Sequence, residues 1–149
     1  MWYTLLGIRE IVPSGAKKGR LMKRILVVDD EMGARTLMGI MLERDGFKAV
    51  KAKDAIEALK ILDETDPPDL IILDVMMPGM DGVELCRTIR GRASSATLPI
   101  LILSARSDVE SVMRGMDAGA TDYLPKPILN HDLTAKVRAL LNIDAIAEE

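Results

Sequence analysis

At 149 residues, 48% hydrophobic and 29% charged, with a formal net charge of −3, the chain has the size and composition of one ordinary globular domain. The acidic balance and the scarcity of aromatic residues argue against a direct nucleic-acid binder, which would carry a basic face. A single cysteine, Cys86, excludes an internal disulfide and a Cys-rich zinc site and fits a reducing compartment, and no apolar run is long enough to cross a membrane.

Met1 to Leu21 differ in character from the rest of the chain. Thr4 to Ile8 are mildly apolar but are interrupted by Arg9 and Glu10, which does not make a signal peptide. Pro13-Ser14-Gly15 and the solvated charge run Lys17 to Arg20 read as a flexible tail. Met22, just before the first strand, is the expected natural start, with residues 1–21 a flexible extension or the product of an upstream start. A rival reading makes Trp2, Leu5, Leu6 and Ile8 a short docking helix.

From Lys23 onward, strand and helix patterns alternate. Arg24 to Val28 is a short β-branched run, a buried strand that ends at Asp29-Asp30-Glu31. Leu37, Ile40, Met41 and Leu42 recur at helical spacing until Asp45-Gly46. Phe47 to Lys51 is the second strand. Asp54 caps a helix carrying Ile56, Leu59, Ile61 and Leu62, which Pro67-Pro68 stop. Leu70 to Leu73 form the third strand, buried on both faces, and Asp74 terminates it. After a Pro-Gly turn, Val83, Leu85, Cys86 and Ile89 share one face of the third helix. Pro99 opens the fourth strand, Ile100 to Leu103, ending at Ser104. Asp108 caps a helix with Val109, Val112, Met113 and Met116, closed by Gly119. Asp122 to Leu124 is the fifth strand, and Asn130 or Asp132 caps the last helix, whose stripe includes Leu133, Val137, Leu140 and Leu141. Cys86 and most of the ten methionines are expected in the core. The lone His131 is expected to face solvent.

Five strands alternating with five helices imply an α/β fold, a parallel doubly wound sheet covered on both faces. In such sheets ligands bind beyond the carboxyl ends of the strands, where strand order reverses. Those ends carry Asp29, Asp30, Asp74, Ser104 and Lys126. Carboxylates about 4 Å apart repel by roughly 4 kcal/mol at an effective dielectric near 20, so the cluster calls for a cation. A hard divalent ion with oxygen ligands suits it, and Mg²⁺ uses few carboxylates plus water and phosphate oxygens. A cation, an ammonium and a hydroxyl around one carboxylate suit a phosphoryl group on that carboxylate, with Asp74 as nucleophile.

Four stretches now stand together: ILVVDDE (25–31), LIILDVMMPGMDG (70–82), LILSA (101–105) and AGATDYLPKP (118–127). In this order, each beside a strand, they resemble the receiver domain of response regulators, the phosphoacceptor half of two-component signalling, and in particular its single-domain chemotaxis-type members. The resemblance covers nearly all of the chain after the tail and implies a flavodoxin-like sheet of order 2-1-3-4-5, with residues 22–149 as the receiver and no output domain. It implies Asp74 as the phosphoacceptor. Mg²⁺ would be held by Asp29, Asp30, Asp74 and the backbone carbonyl of Met76. Lys126 and Ser104 would contact the phosphoryl group. Ser104 and Tyr123 would be switch residues, and Pro127 would follow a cis bond to Lys126. Met76 and Arg106 occupy the positions that tune dephosphorylation. Met76 cannot orient a water by hydrogen bonding and Arg106 could cover the site, so slow self-dephosphorylation is expected.

The partners implied are a sensor histidine kinase or histidine phosphotransfer protein, a downstream effector, and a second copy in a phosphorylation-dependent homodimer. The readout face would lie around the fourth helix, fifth strand and fifth helix, and the location would be cytoplasmic. No substrate turnover beyond self-phosphorylation and self-dephosphorylation is implied. Two other readings stand beside this one. A phosphorylation-independent interaction module would not need the intact acid and lysine set. A small Mg²⁺-dependent aspartyl-phosphate hydrolase would want an acid where Met76 sits, and a substrate-binding cap domain.

Overall fold

A computed structural model of the chain describes residues 22–105 and 108–143. The tail reading, its docking-helix rival and the position of Arg106 fall outside the described residues. The elements run β1 (Arg24–Val28), α1 (Met32–Arg44), β2 (Lys48–Ala52), α2 (Ala55–Glu64), β3 (Leu70–Asp74), α3 (Gly82–Arg90), a 3₁₀ turn (Ala93–Ser95), β4 (Ile100–Ser104), α4 (Val109–Asp117), β5 (Asp122–Pro125) and α5 (Asn130–Leu140). All strand pairs are parallel, in the order β2-β1-β3-β4-β5. Strand order therefore reverses between β1 and β3, which places the end of β1 beside the end of β3.

The strands alternate between two cores, as their two-residue period requires. Ile25, Val27, Leu70, Ile72, Leu101 and Leu103 meet Met38 and Leu42 of α1 and Leu133 and Val137 of α5. Leu26, Val28, Ile71, Leu73, Ile100 and Ile102 meet α2 and α3 on the opposite face. β3 and β4 are buried along their whole length, which is why they read as unbroken apolar runs. Among the described residues no helix is long and apolar enough to cross a membrane.

Apolar spacing and burial part company on three helices. On α1 the buried residues are Met38, Gly39 and Leu42, while Leu37 and Ile40 are exposed. On α2 the sheet is met by Ala55 and Ala58, and Ile56 points to solvent. On α4, Val109, Met113 and Met116 lie on one face, but that face is open. The side packed on the sheet carries Gly115, about 200° around the helix from Met113. A Cβ on Gly115 would stand 3.0 Å from Ile102 Cδ1, so the close approach excludes a large residue there. Helical periodicity identifies a face; it does not say what the face meets. The methionines are mostly not core: Met38 and Met77 are buried, whereas Met22, Met32, Met76, Met113 and Met116 are exposed.

Two boundaries also differ. β2 begins at Lys48, because Phe47 is drawn into the core below the strand. α5 has Leu129 as its N-cap, with no side-chain cap bond, so neither Asn130 nor Asp132 caps it. Asp54 and Asp108 cap α2 and α4 as expected, accepting from Glu57 N and Ser111 N. Cys86 is buried, with its Sγ 3.5 Å from the Ala118 carbonyl oxygen, and His131 is exposed.

Candidate functional site

The site stands at the β1–β3 switch point. Asp29 follows β1 and is held from three directions. Its N–H donates to the Ala52 carbonyl at 3.2 Å, its Oδ1 accepts from Glu31 N at 3.0 Å, and its carbonyl accepts from Arg35 Nη1 at 2.8 Å. Glu31 fixes the adjoining start of α1, its carboxylate accepting from Gly33 N and Ala34 N. Asp74 closes β3, and the next residue, Val75, donates its N–H to Leu103 of β4 at 3.1 Å. Lys126 follows β5, and its backbone N–H donates to the Ser104 carbonyl at 2.9 Å. Main-chain bonds of the sheet thus carry each functional side chain to one edge.

There Lys126 Nζ lies 3.0 Å from Asp74 Oδ1 and 3.5 Å from Asp29 Oδ2. Carboxylate oxygens of Asp29, Asp30 and Asp74 all lie within 4.8 Å of one another. Asp29 and Asp74 are buried, and Asp30 is exposed at the mouth. Ser104 is buried at the end of β4. The Lys126–Pro127 peptide is cis. Tyr123 is half-buried against the α2–α3 core, and its hydroxyl is buried with no hydrogen-bond partner. Met76 is 63% exposed in the loop beyond Asp74, whereas Met77 is buried.

Burial pushes the Asp74 carboxyl above its ordinary range. Lys126 pulls it down by hydrogen bond and charge, Asp29 and Asp30 push it up again, and the net shift is upward. Burial alone would depress the Lys126 ammonium, but its hydrogen bond to Asp74 and the negative charges of Asp74 and Asp29 outweigh that, and its pKa is raised. One ammonium therefore serves more negative charge than it can balance. The Asp29 Oδ2 atom is buried with no hydrogen-bond partner, its nearest counter-charge being the ammonium at 3.5 Å. An orphaned buried carboxylate oxygen beside two further carboxylates fits an oxygen-seeking divalent cation.

The raised pKa has a consequence for stability. A carboxyl whose folded pKa exceeds its unfolded value favours folding below the unfolded value, and that contribution is lost as pH rises through the folded one. At neutral pH the charge on Asp74 therefore opposes folding. Asp74→Asn is expected to raise the unfolding free energy by about 1 kcal/mol at neutral pH. The gain should shrink as pH falls toward about 4, the ordinary carboxylate range. Urea denaturation across that range checks both, and a variant no more stable than the parent at neutral pH would contradict the charge argument.

A family model for the response-regulator receiver domain matches residues 25–138. The chain belongs to the response-regulator receiver family. It is 48% identical over 118 residues to the response regulator MprA of Mycobacterium tuberculosis H37Rv, an alignment covering 79% of this chain and 50% of that protein. The chain thus spans about half the length of the curated relatives it matches. A putative response regulator from Chloroflexus aurantiacus has a similar structure, with a TM-score of 0.78 and 35% identity over 81% of this chain and 98% of that one. The Vibrio cholerae chemotaxis protein CheY4 superposes with a TM-score of 0.76 at 31% identity, over 80% of this chain and 98% of that one.

For this receiver domain the sequence singled out Asp29, Asp30, Asp74, Ser104 and Lys126, and the fold brings all five to one edge. It did not single out Glu31 as the cap of α1 or Arg35 as the brace on Asp29, because both bonds exist only once the chain has turned out of β1. It also missed an apolar groove of about 530 Å³ beside Lys126, lined in part by Leu37, Met38 and Met41 of α1 and by Pro127 and Ile128.

Proposed function

We propose that this receiver domain is a phosphoacceptor switch in which Asp74 takes a phosphoryl group from a phosphohistidine on a sensor kinase or phosphotransfer protein. The observation that carries the reading is the buried Asp74 carboxylate with Lys126 at 3.0 Å and two further acids around it. A carboxylate oxygen of Asp74 attacks phosphorus, the bond from phosphorus to the histidine nitrogen breaks, and that nitrogen keeps the electron pair. Asp29, Asp30, Asp74 and the Met76 carbonyl would hold Mg²⁺, which would supply positive charge to the phosphoryl oxygens. Lys126 contributes the fixed positive charge, and Ser104 offers a hydroxyl to the phosphoryl group once formed. The apolar groove between α1 and Ile128 gives a histidine-bearing protein a landing surface next to the acid.

Phosphorylation would shift an existing equilibrium through Ser104 and Tyr123. The buried, unpartnered Tyr123 hydroxyl supports a side chain with a second resting place. The open stripe of Val109, Met113 and Met116 on α4 supports a readout face for an effector protein or a second copy. Met76 has no hydrogen-bond donor and only a weakly accepting thioether in its exposed side chain to orient an attacking water, so the acyl phosphate is expected to be long-lived.

Intact mass after incubation with acetyl phosphate and Mg²⁺ tests the reading. The expected result is one added phosphoryl group, acid-stable and base-labile, decaying slowly once the donor is removed. It should be absent in Asp74→Asn and without Mg²⁺. If neither acetyl phosphate nor phosphorylated sensor kinases modify the folded, Mg²⁺-supplied protein, the domain is a phosphorylation-independent interaction module instead.

A further inference from the structure

On the flank of the site away from α1, α4 faces the loop after β3 across two adjoining cavities. One, of about 80 Å³, is lined by Val75, Met76, Val83, Ser104, Ser111 and Arg114. The other, of about 430 Å³ and open to solvent, is lined by Val75, Met76, Met77, Pro78, Asp81 and Arg114. The two share Val75 and Met76, the smaller reaching Ser104 at the edge of the acceptor site and the larger lying on the solvent side, and the approach past Met76 runs along them. Arg114 lines both.

The arginine is unengaged. Among the described arginines, Arg24, Arg35, Arg90, Arg92 and Arg138 each bond a carbonyl or a carboxylate, while Arg44, Arg87 and Arg114 do not, and of these three Arg114 is the one that lines the cavities. The Arg114 guanidinium has no hydrogen-bond or ion-pair partner among the described residues, and its side chain is exposed. Asp81 in the same cavity is occupied by the start of α3, its Oδ1 accepting from Glu84 N at 2.9 Å. Ser111 is occupied by Asp108. Among the described residues lining the two cavities, Arg114 thus offers a free planar fork of N–H groups, the geometry that pairs with phosphate and carboxylate oxygens.

A small phosphodonor has an electrostatic difficulty here. It is a dianion approaching an acid ringed by two other acids, and Lys126 is already committed to Asp74 and Asp29. A second cation on the approach route would relieve that repulsion, and the larger cavity lies within the range that holds small ligands. We propose that Arg114 is the anion-binding residue of a subsite for small acyl phosphates, holding the donor's oxygens as it passes Met76 toward Asp74. The inference rests on the acceptor reading of Asp74. The transfer balances without a co-reactant: an Asp74 oxygen bonds to phosphorus, the bond from phosphorus to the acyl oxygen breaks, and the donor leaves as a carboxylate with the electron pair. A protein donor landing on the α1 groove would not use this approach.

Arg114 also sits in the last turn of α4, where any cation suits the helix end. A test must therefore compare donors rather than stability. Intact-mass time courses of the full chain with Mg²⁺ would use acetyl phosphate, and phosphoramidate as a donor of lower charge without an acyl group. In Arg114→Ala the half-saturating acetyl phosphate concentration should rise about fivefold, and further in Arg114→Glu, with the limiting rate unchanged. Arg114→Lys should retain most of the affinity, and phosphoramidate should change less than about twofold in every variant. Equal changes for the two donors, or none, would overturn the subsite while leaving Asp74 as acceptor. A parent chain that takes phosphoryl groups from neither donor would remove the acceptor reading and the subsite with it.

Discussion

Replacing Lys126 with alanine is expected to lower the unfolding free energy by about 3 kcal/mol at neutral pH, with most of the loss recovered on acidification. Its Nζ stands 3.0 Å from Asp74 and 3.5 Å from Asp29, both buried, with Asp30 close by. Without it, buried carboxylates face one another with no fixed counter-charge. The sign of the pH dependence comes from what each group loses. In the parent, Lys126 has a raised pKa, so its contribution is complete below the ordinary lysine range and is lost as pH rises through the folded value. In the variant, Asp74 loses the influences that pulled its carboxyl down and is left with burial and its acidic neighbours, which push it further up. The variant is therefore close to the parent where the carboxyls are protonated in both, and falls behind as they ionise. Lys126→Met keeps most of the aliphatic stem and should behave like alanine if charge dominates. Urea denaturation of both variants from acid to neutral pH reads the effect. A deficit independent of pH would assign the loss to stem packing instead.

The same edge of the sheet shows why parts of this protein are legible in its sequence and others are not. β3 and β4 are buried on both faces, so Leu70 to Leu73 and Ile100 to Leu103 stand out as apolar runs, and the residue after each run must lie at the strand's end. That topological fact alone gathers Asp29, Asp74, Ser104 and Lys126. Asp54 and Asp108 are legible because capping is local, decided within three residues. The inward face of α4 is not legible, because it depends on a contact between Gly115 and Ile102, residues that the sequence separates by a whole turn of the fold. The same holds for α1, where Leu37 and Ile40 share the apolar character of Met38 and Leu42 but look outward. Such surface residues are not idle: Leu37 and the partly buried Met41 line the groove beside Lys126. Arg114 carries no signal in one dimension, since only the packing of α4 against the loop after β3 makes it line the two cavities.

Gly82→Ala is expected to destabilise the domain by about 3 kcal/mol and, on the proposed acceptor role of Asp74, to slow its phosphorylation as well. Gly82 is the first residue of α3, and its N–H donates to the Val75 carbonyl at 3.0 Å, folding the loop back onto the end of β3. A Cβ there would stand 2.3 Å from the Asp74 carbonyl oxygen, 2.9 Å from Val75 Cα and 3.0 Å from the Asp74 carbonyl carbon. All three are main-chain atoms, which cannot swing aside as a side-chain tip can, so either α3 or the end of β3 must shift. A shift of β3 moves the Asp74 carboxylate relative to Lys126, and transfer to an acceptor depends on such placement. Gly79 in the same loop supplies the contrast. Its φ is +75°, and nothing lies within 4 Å of an added Cβ, so Gly79→Ala meets conformational strain without a clash. That variant should lose about 1 kcal/mol and keep its phosphorylation rate. Urea denaturation gives the two stabilities, and intact-mass time courses with acetyl phosphate give the two rates. Equal phosphorylation rates in the two variants would mean that the close approach of α3 to β3 supports the fold without positioning the acid.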